Sequence, residues 1–244
     1  MTGQKKIAFA IFSIVCASFS TVIQADDAWH IFGSAGLTTN YVYRGISYTE
    51  DKVTPRANLY IGHESGLFLS TYFTRHNLGG LFQNSEPRDS EFEFNFGYYR
   101  QINDLWALSF SHAWQEFDQI QQSVDYDYRE YRLNAHYSDW LSFFVGYTDS
   151  VWNTVNKLTT YSVTGRHAIP FNILAEVEVG WLDFESGAPV DFPFLRTSFG
   201  KSIADNWTAA IEYTYSDTRA NTFLDSDRVG SNVSGVLTYH FQIK

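Results

Sequence analysis

Hydrophobicity along this chain alternates with a period of two residues, and the alternation keeps returning. Glu91–Tyr98 shows it most cleanly: Phe92, Phe94, Phe96 and Tyr98 fall on one side of an extended chain, and Glu91, Glu93, Asn95 and Gly97 on the other. A helix would scatter those four rings around its circumference, whereas a strand gathers them on one face. Twelve segments read this way: 33–44, 55–62, 67–75, 91–99, 106–114, 129–137, 140–148, 158–166, 172–181, 194–201, 207–216 and 231–241. Many have the roughly nine to eleven residues that a tilted strand needs to cross a bilayer.

The connections carry a second rhythm. Tight ones at His63–Gly66, Gln101–Leu105, Ser138–Asp139, Ala168–Phe171 and Ile203–Asn206 alternate with longer polar ones such as Asn77–Ser90, Gln115–Tyr128, Asp183–Phe192 and Asp217–Val229. Short turns on one side and long loops on the other are the asymmetry of bacterial membrane barrels, and an even strand number puts both chain ends on the short-turn side. A soluble β-sandwich also alternates but requires no such rhythm. It would also not explain 18% aromatic residues concentrated at strand ends. Tyr41, Tyr43, Phe92, Trp114, Tyr131, Tyr147, Tyr161, Trp181, Tyr213 and Tyr215 are expected at one interface, and Tyr98, Trp106, Tyr137, Trp207, Tyr239 and Phe241 at the other. The expected fold is all-β: a transmembrane antiparallel up-and-down barrel of about twelve strands. A mean hydropathy of −0.24 excludes a helical membrane protein but not a barrel, half of whose strand residues face a polar interior.

The first 25 residues read as a secretory signal peptide. Lys5 and Lys6 precede the apolar run Ile7–Phe19, and Ile23-Gln24-Ala25 offers a cleavage site. The run is shorter than the roughly 20 residues a spanning helix needs. Removing it leaves a single barrel domain, 26–244, with no cysteine, because Cys16 is the only one. The net charge of −10 becomes −12, with 27 acidic residues against 15 basic ones, which argues against a nucleic-acid partner. The expected location is the outer membrane of a Gram-negative bacterium.

Polar residues in the other phase of the strands define the expected lining of the lumen: Arg44, Arg56, Glu91, Glu93, Glu130, Arg132, Arg166, Glu176, Glu178, Arg196 and Glu212. Facing lipid at mid-membrane, an Arg or Lys would cost about 2–4 kcal/mol. Facing inward, these charges either form opposed acidic and basic walls that orient solutes, or pair with one another and fill the lumen. Twelve strands lie between the roughly eight that close around side chains and the sixteen that leave an open channel. The long loops are acidic, which suits a cation-attracting mouth or divalent bridging to lipopolysaccharide.

The stretch Gly33-Ser34-Ala35-Gly36-Leu37-Thr38-Thr39-Asn40-Tyr41-Val42-Tyr43-Arg44-Gly45-Ile46-Ser47, followed by Tyr60-Ile61-Gly62-His63-Glu64-Ser65-Gly66-Leu67-Phe68, resembles the opening of the TorF-type porins, a proteobacterial outer-membrane family of poorly defined function. The resemblance covers roughly residues 33–73 and is general beyond them. It implies a barrel and a porin-type role without naming a solute. Barrels commonly end on an aromatic residue read by the assembly machinery, whereas here Phe241 is followed by Gln242-Ile243-Lys244.

The function expected is passive diffusion of small polar solutes or ions through a narrow lumen, with no cofactor, no metal site and no catalytic residue. The expected partners are outer-membrane lipid and lipopolysaccharide, the barrel-assembly machinery, and the solutes or ions themselves. A lipid-modifying barrel enzyme and a non-conducting structural or adhesive barrel are the alternatives. His136-Tyr137-Ser138 has the His-x-Ser order of lipid A deacylases, but it lies by a short turn with His136 in the lumen phase, both unsuited to a lipid substrate.

Overall fold

A computed structural model describes residues 28–77, 89–118, 126–154, 156–185, 190–222 and 228–243. Twelve antiparallel strands form a closed barrel: β1 (Trp29–Thr38), β4 (Thr54–His63), β5 (Leu67–His76), β6 (Asp89–Gln101), β7 (Trp106–Asp118), β8 (Tyr128–Tyr137), β9 (Leu141–Thr148), β10 (Leu158–Ile169), β11 (Ile173–Phe184), β12 (Phe192–Ala204), β13 (Trp207–Ser216) and β14 (Ser231–Ile243). Each pairs with its sequence neighbours, and β1 closes on β14 in a register running from Ile31 opposite Ile243 to Thr38 opposite Val236. Closure is what lipid demands, since an open edge would leave backbone N–H and C=O groups unsatisfied in hydrocarbon.

The two faces are inverted relative to a soluble protein. Phe96, Phe110, Val179, Ile211 and Val233 stand on the outside, Ile211 at 63% exposure, while their alternate neighbours turn inward. Along β7, Trp106, Leu108, Phe110 and Trp114 face out, and Ser109, Ser111 and Gln115 are buried. Aromatic contacts mark the turn end, with Trp106 against Tyr137 at 5.0 Å and Trp207 against Tyr239 at 5.2 Å between ring centroids. Such rings belong at headgroup depth.

The closing seam is tight. A Cβ added at Gly36 would lie 2.2 Å from the Leu237 carbonyl oxygen and 3.0 Å from the Thr238 Cα, so backbone and not a flexible side chain would have to move. Gly36→Ala is therefore expected to destabilise the barrel by about 1–3 kcal/mol, the usual range for overpacking. A lower urea midpoint in lipid vesicles is the readout, and an unchanged midpoint would mean the seam is looser than described.

One element departs from the expected strands. The first barrel strand is not 33–44; it starts earlier, at Trp29, and ends at Thr38. Beyond it the chain leaves the wall and forms a short hairpin, β2 (Val42–Tyr43) with β3 (Ile46–Ser47). Arg44 and Gly45 form its turn, both with positive φ (51° and 81°). That is the backbone of a type I′ two-residue hairpin, which glycine adopts without strain. Tyr41 and Tyr43 therefore do not join an interfacial belt.

The hairpin is buried in the apolar core of the molecule, which sits at the loop end of the barrel. Tyr41, Ile46 and Tyr48 pack with Phe117, Tyr128, Leu158, Leu182, Phe184, Phe192 and Phe194 from the upper ends of the strands. Val151, Ala220 and Val229 complete it from the loops. At that level the inward face of the wall is apolar because a folded segment rests on it. No helix among the described residues is long and apolar enough to cross a membrane.

Candidate functional site: a lumen closed over by a hairpin

Asn40 anchors the base of the hairpin. Its amide nitrogen donates to Asp51 Oδ1 at 2.7 Å and Asn232 Oδ1 at 3.1 Å, and its oxygen accepts from Ser47 and Thr49 at 2.7 and 3.0 Å. Asn40 thus organises a turn and does not line the lumen from a strand. Arg228 is fully buried and joins three loops: it pairs with Glu50 at 2.5 Å and donates to the Ser47 carbonyl oxygen and to Asn77. At the tip, Ser216 of β13 donates to the Gly45 carbonyl oxygen at 2.6 Å. A Cβ at Gly45 would come within 2.7 Å of Ser216 and 2.8 Å of Phe194, so the close approach requires glycine there as well.

Arg44 carries the tip into the lumen. Its guanidinium donates to both Glu130 oxygens, at 2.6 and 3.0 Å, and to Thr160 at 3.0 Å, with Tyr43 and Phe144 rings at 4.7 and 5.2 Å. A bidentate, ring-flanked arrangement is specific to arginine, and lysine would not reproduce it. Burial opposes the Arg44 charge and Glu130 outweighs it, so the pKa of the guanidinium is held above its ordinary value. Tyr48, pinned beside Trp152, has its phenol pushed up by burial and next by Glu91.

Below the hairpin lies a cavity of about 460 Å³. The sequence-predicted lumen residues are distributed around it unequally. Arg44, Arg132, Arg166, Glu178 and Arg196 line the cavity. Glu93, Glu130, Glu176 and Glu212 also turn inward and bond those arginines from the wall. Arg132 bonds Glu93 through two contacts of 2.7 Å and Glu130 at 2.6 Å, while Gln115 adds a 3.3 Å bond to Glu93. Arg166 bonds Glu176 at 2.8 Å and Ser142 at 2.9 Å. Arg196 contacts Glu176, Glu178 at 3.3 Å and Glu212 at 3.4 Å. Among the described residues, Arg56 bonds Thr238 at 3.3 Å, and Glu91 lies buried under Tyr41 with one oxygen unpartnered.

The charges consequently do not form opposed walls. They interleave around the wall, Glu93 of β6 with Arg132 and Glu130 of β8, and Arg166, Glu176 and Arg196 on the consecutive strands β10, β11 and β12, while Arg44 reaches the wall from the hairpin. Such pairing follows from the cost of leaving an ion unpaired in a partly dry interior. His136 also faces the cavity, with Nδ1 3.1 Å from Ser142 Oγ, away from lipid.

Sequence reasoning missed much of the lining: Tyr60, Phe68, Tyr99, Ser109, Ser111, Phe144, Ser162, Thr164 and Thr214. It also missed the hairpin itself. Alternating residues on either side of Arg44-Gly45 were a hairpin signal, as were apolar residues in the inward phase at several strand tops.

Among solved structures the chain is similar to outer-membrane porins. The NanC porin aligns over 87% of this chain and 100% of its own, with a TM-score of 0.56 and 10% identity. The KdgM porin aligns over 86% and 99%, with a TM-score of 0.53 and 11% identity. Omp33 of Acinetobacter baumannii aligns over 88% and 99%, with a TM-score of 0.51 and 10% identity. At these identities the likeness is one of fold, and the fold with its lipid-facing wall is that of a bacterial outer-membrane barrel. No curated protein matches the sequence. A family model described as "Bacterial protein of unknown function (Gcw_chp)" matches residues 23–242, and the chain belongs to that family.

Proposed function

We propose that the chain is a porin-type channel for passive movement of small polar solutes or ions across the outer membrane, narrowed at its outer mouth by the 41–48 hairpin. The observation that carries this reading is the polar cavity held inside a closed twelve-strand wall, beneath a tip fixed by Arg44 and Glu130. The resemblance of residues 33–73 to TorF-type porins supports it. Residues 1–25 are read as the leader removed on export, so the mature protein begins at Asp26. In this reading the barrel-assembly machinery acts on Phe241 and Ile243 together, and lipid and lipopolysaccharide surround the outer wall.

The enzyme alternative finds no support in the position of His136, which lies inside the barrel and beside Ser142. KdgM has been solved in complex with disordered oligogalacturonate. An acidic chain of that kind would find the cavity arginines here already engaged by glutamates.

The reading is tested by adding the refolded protein to planar lipid bilayers. Discrete current steps of small amplitude are expected. Lipid hydrolysis or stable insertion without any conductance would reject it.

A further inference from the structure

We infer that the solute class is uncharged and polyhydroxylated, of mono- to disaccharide size; this rests on the channel reading above and deepens it. The first ground is where charge is already committed. Every arginine on the cavity wall holds a carboxylate: Arg44 takes Glu130, Arg132 takes Glu93 and Glu130, Arg166 takes Glu176, and Arg196 takes Glu176, Glu178 and Glu212. An anionic solute must displace a glutamate and leave that carboxylate uncompensated. A cationic solute must strip an arginine in the same way. Neither exchange is favourable, because each leaves one member of a largely buried ion pair without its partner.

The second ground is what remains uncommitted. Asn58, Asn95, His136 and Thr214 line the cavity, and just beneath its surface Asn58 Oδ1, Asn95 Oδ1, His136 Nε2 and Thr214 Oγ1 have no hydrogen-bond partner among the described residues, so a small side-chain rotation offers each to a solute. Asn58 lies on β4 two residues from Tyr60. Tyr60 is opposite Ser70 on β5, which is in turn opposite Asn95 on β6. An amide accepts and donates from adjacent atoms, as a hydroxyl does, so this wall matches a solute that presents many hydroxyls and no charge. A site built to hydrogen-bond hydroxyls discriminates against solutes lacking them, because its buried polar atoms would be left unpaired.

The third ground is shape. Tyr60 and Phe68 both line the cavity and stack at 5.7 Å with 22° between their planes, adding aromatic surface to the lining beside the amides. A pyranose ring has an apolar C–H face and a hydroxyl rim, and it meets both surfaces at once. The volume of about 460 Å³ lies within the roughly 300–1,000 Å³ typical of small-molecule sites.

Current block in planar bilayers reads this directly with the full refolded protein and two probes, maltose and sodium glucuronate. Maltose is expected to half-block the ion current at a concentration about tenfold below that of glucuronate, a difference set by charges that are already paired. In the double variant Glu178→Gln, Glu212→Gln, Arg196 keeps only Glu176, and the ratio of the two half-blocking concentrations is expected to narrow about fivefold. Conductance that glucuronate blocks as well as maltose does, or that neither sugar blocks, overturns the solute class and leaves the channel standing. No conductance under any condition removes the channel reading, and the inference with it. The wild-type comparison stands whether or not the double variant folds.

Discussion

Replacing Tyr41–Tyr48 by a glycine–serine segment of equal length will raise single-channel conductance by roughly threefold or more, since ion flow is governed by the narrowest part of the path. The hairpin packs inside the loop end of the barrel: Tyr41, Ile46 and Tyr48 are buried among strand-top side chains, and Arg44 reaches Glu130 and Thr160. Nothing in the barrel ladder depends on it, because β1 pairs with β4 and β14 through residues that end at Thr38. The variant should therefore keep its heat-modifiable gel mobility, the sign of an intact barrel, while losing the plug. Glu130→Gln is a milder counterpart that weakens the Arg44 contact without removing the hairpin, and its conductance should fall between the two. Unchanged conductance in a folded hairpin variant would place the constriction elsewhere.

The second large effect concerns the outer wall. Phe96 lies mid-strand in β6, 51% exposed in the isolated chain and facing lipid in the membrane. Phe96→Arg is expected to cost about 2–4 kcal/mol, the cost of a cationic side chain at the bilayer midplane. Asn95, the next residue along, faces the cavity, and Asn95→Arg should cost markedly less than Phe96→Arg, because its charge meets the lumen and not hydrocarbon, and should alter conduction as well. Urea titration in lipid vesicles separates the pair. Equal losses at both positions would contradict the assignment of faces.

These two regions show how far the sequence alone carries. The alternation along β6 and β7 is legible because each face of a membrane strand has a single solvent, lipid or lumen, for its whole length. Eleven of the twelve barrel strands accordingly lie close to where period two places them. The hairpin breaks that premise. Residues 40–48 alternate as a strand does, but they pack against protein on both sides, and the pattern does not say which partner they have. Glycine at 45 was the clue that the chain turns there, since the turn has positive φ at both central residues.

The charged residues tell a similar story. Period two assigns an inward phase to the charged residues on strands but not to Arg44, which sits at a hairpin turn, and it assigns partners to none of them, because pairing depends on register between strands. Arg196 meets Glu178 directly across β11 and β12 and Glu212 diagonally on β13. Arg228 and Glu50 could not be matched from sequence at all, since they join the first loop to the last. Rings expected at the interfaces face outward where they sit on strands, as Tyr131, Tyr161 and Trp181 do, whereas the hairpin carries Tyr41 and Tyr43 inward.

Cysteine accessibility along β4 tests the central claim most directly, since Cys16 is the only cysteine of the chain and lies in the expected leader. Single substitutions at Asn58, Leu59, Tyr60 and Ile61 would be exposed, in the membrane-inserted protein, to a charged methanethiosulfonate reagent. A wet interior behind a lipid-facing wall predicts fast modification and loss of current at 58 and 60, with slow modification and no change in current at 59 and 61. Uniform reactivity along the strand, or the opposite alternation, would contradict it.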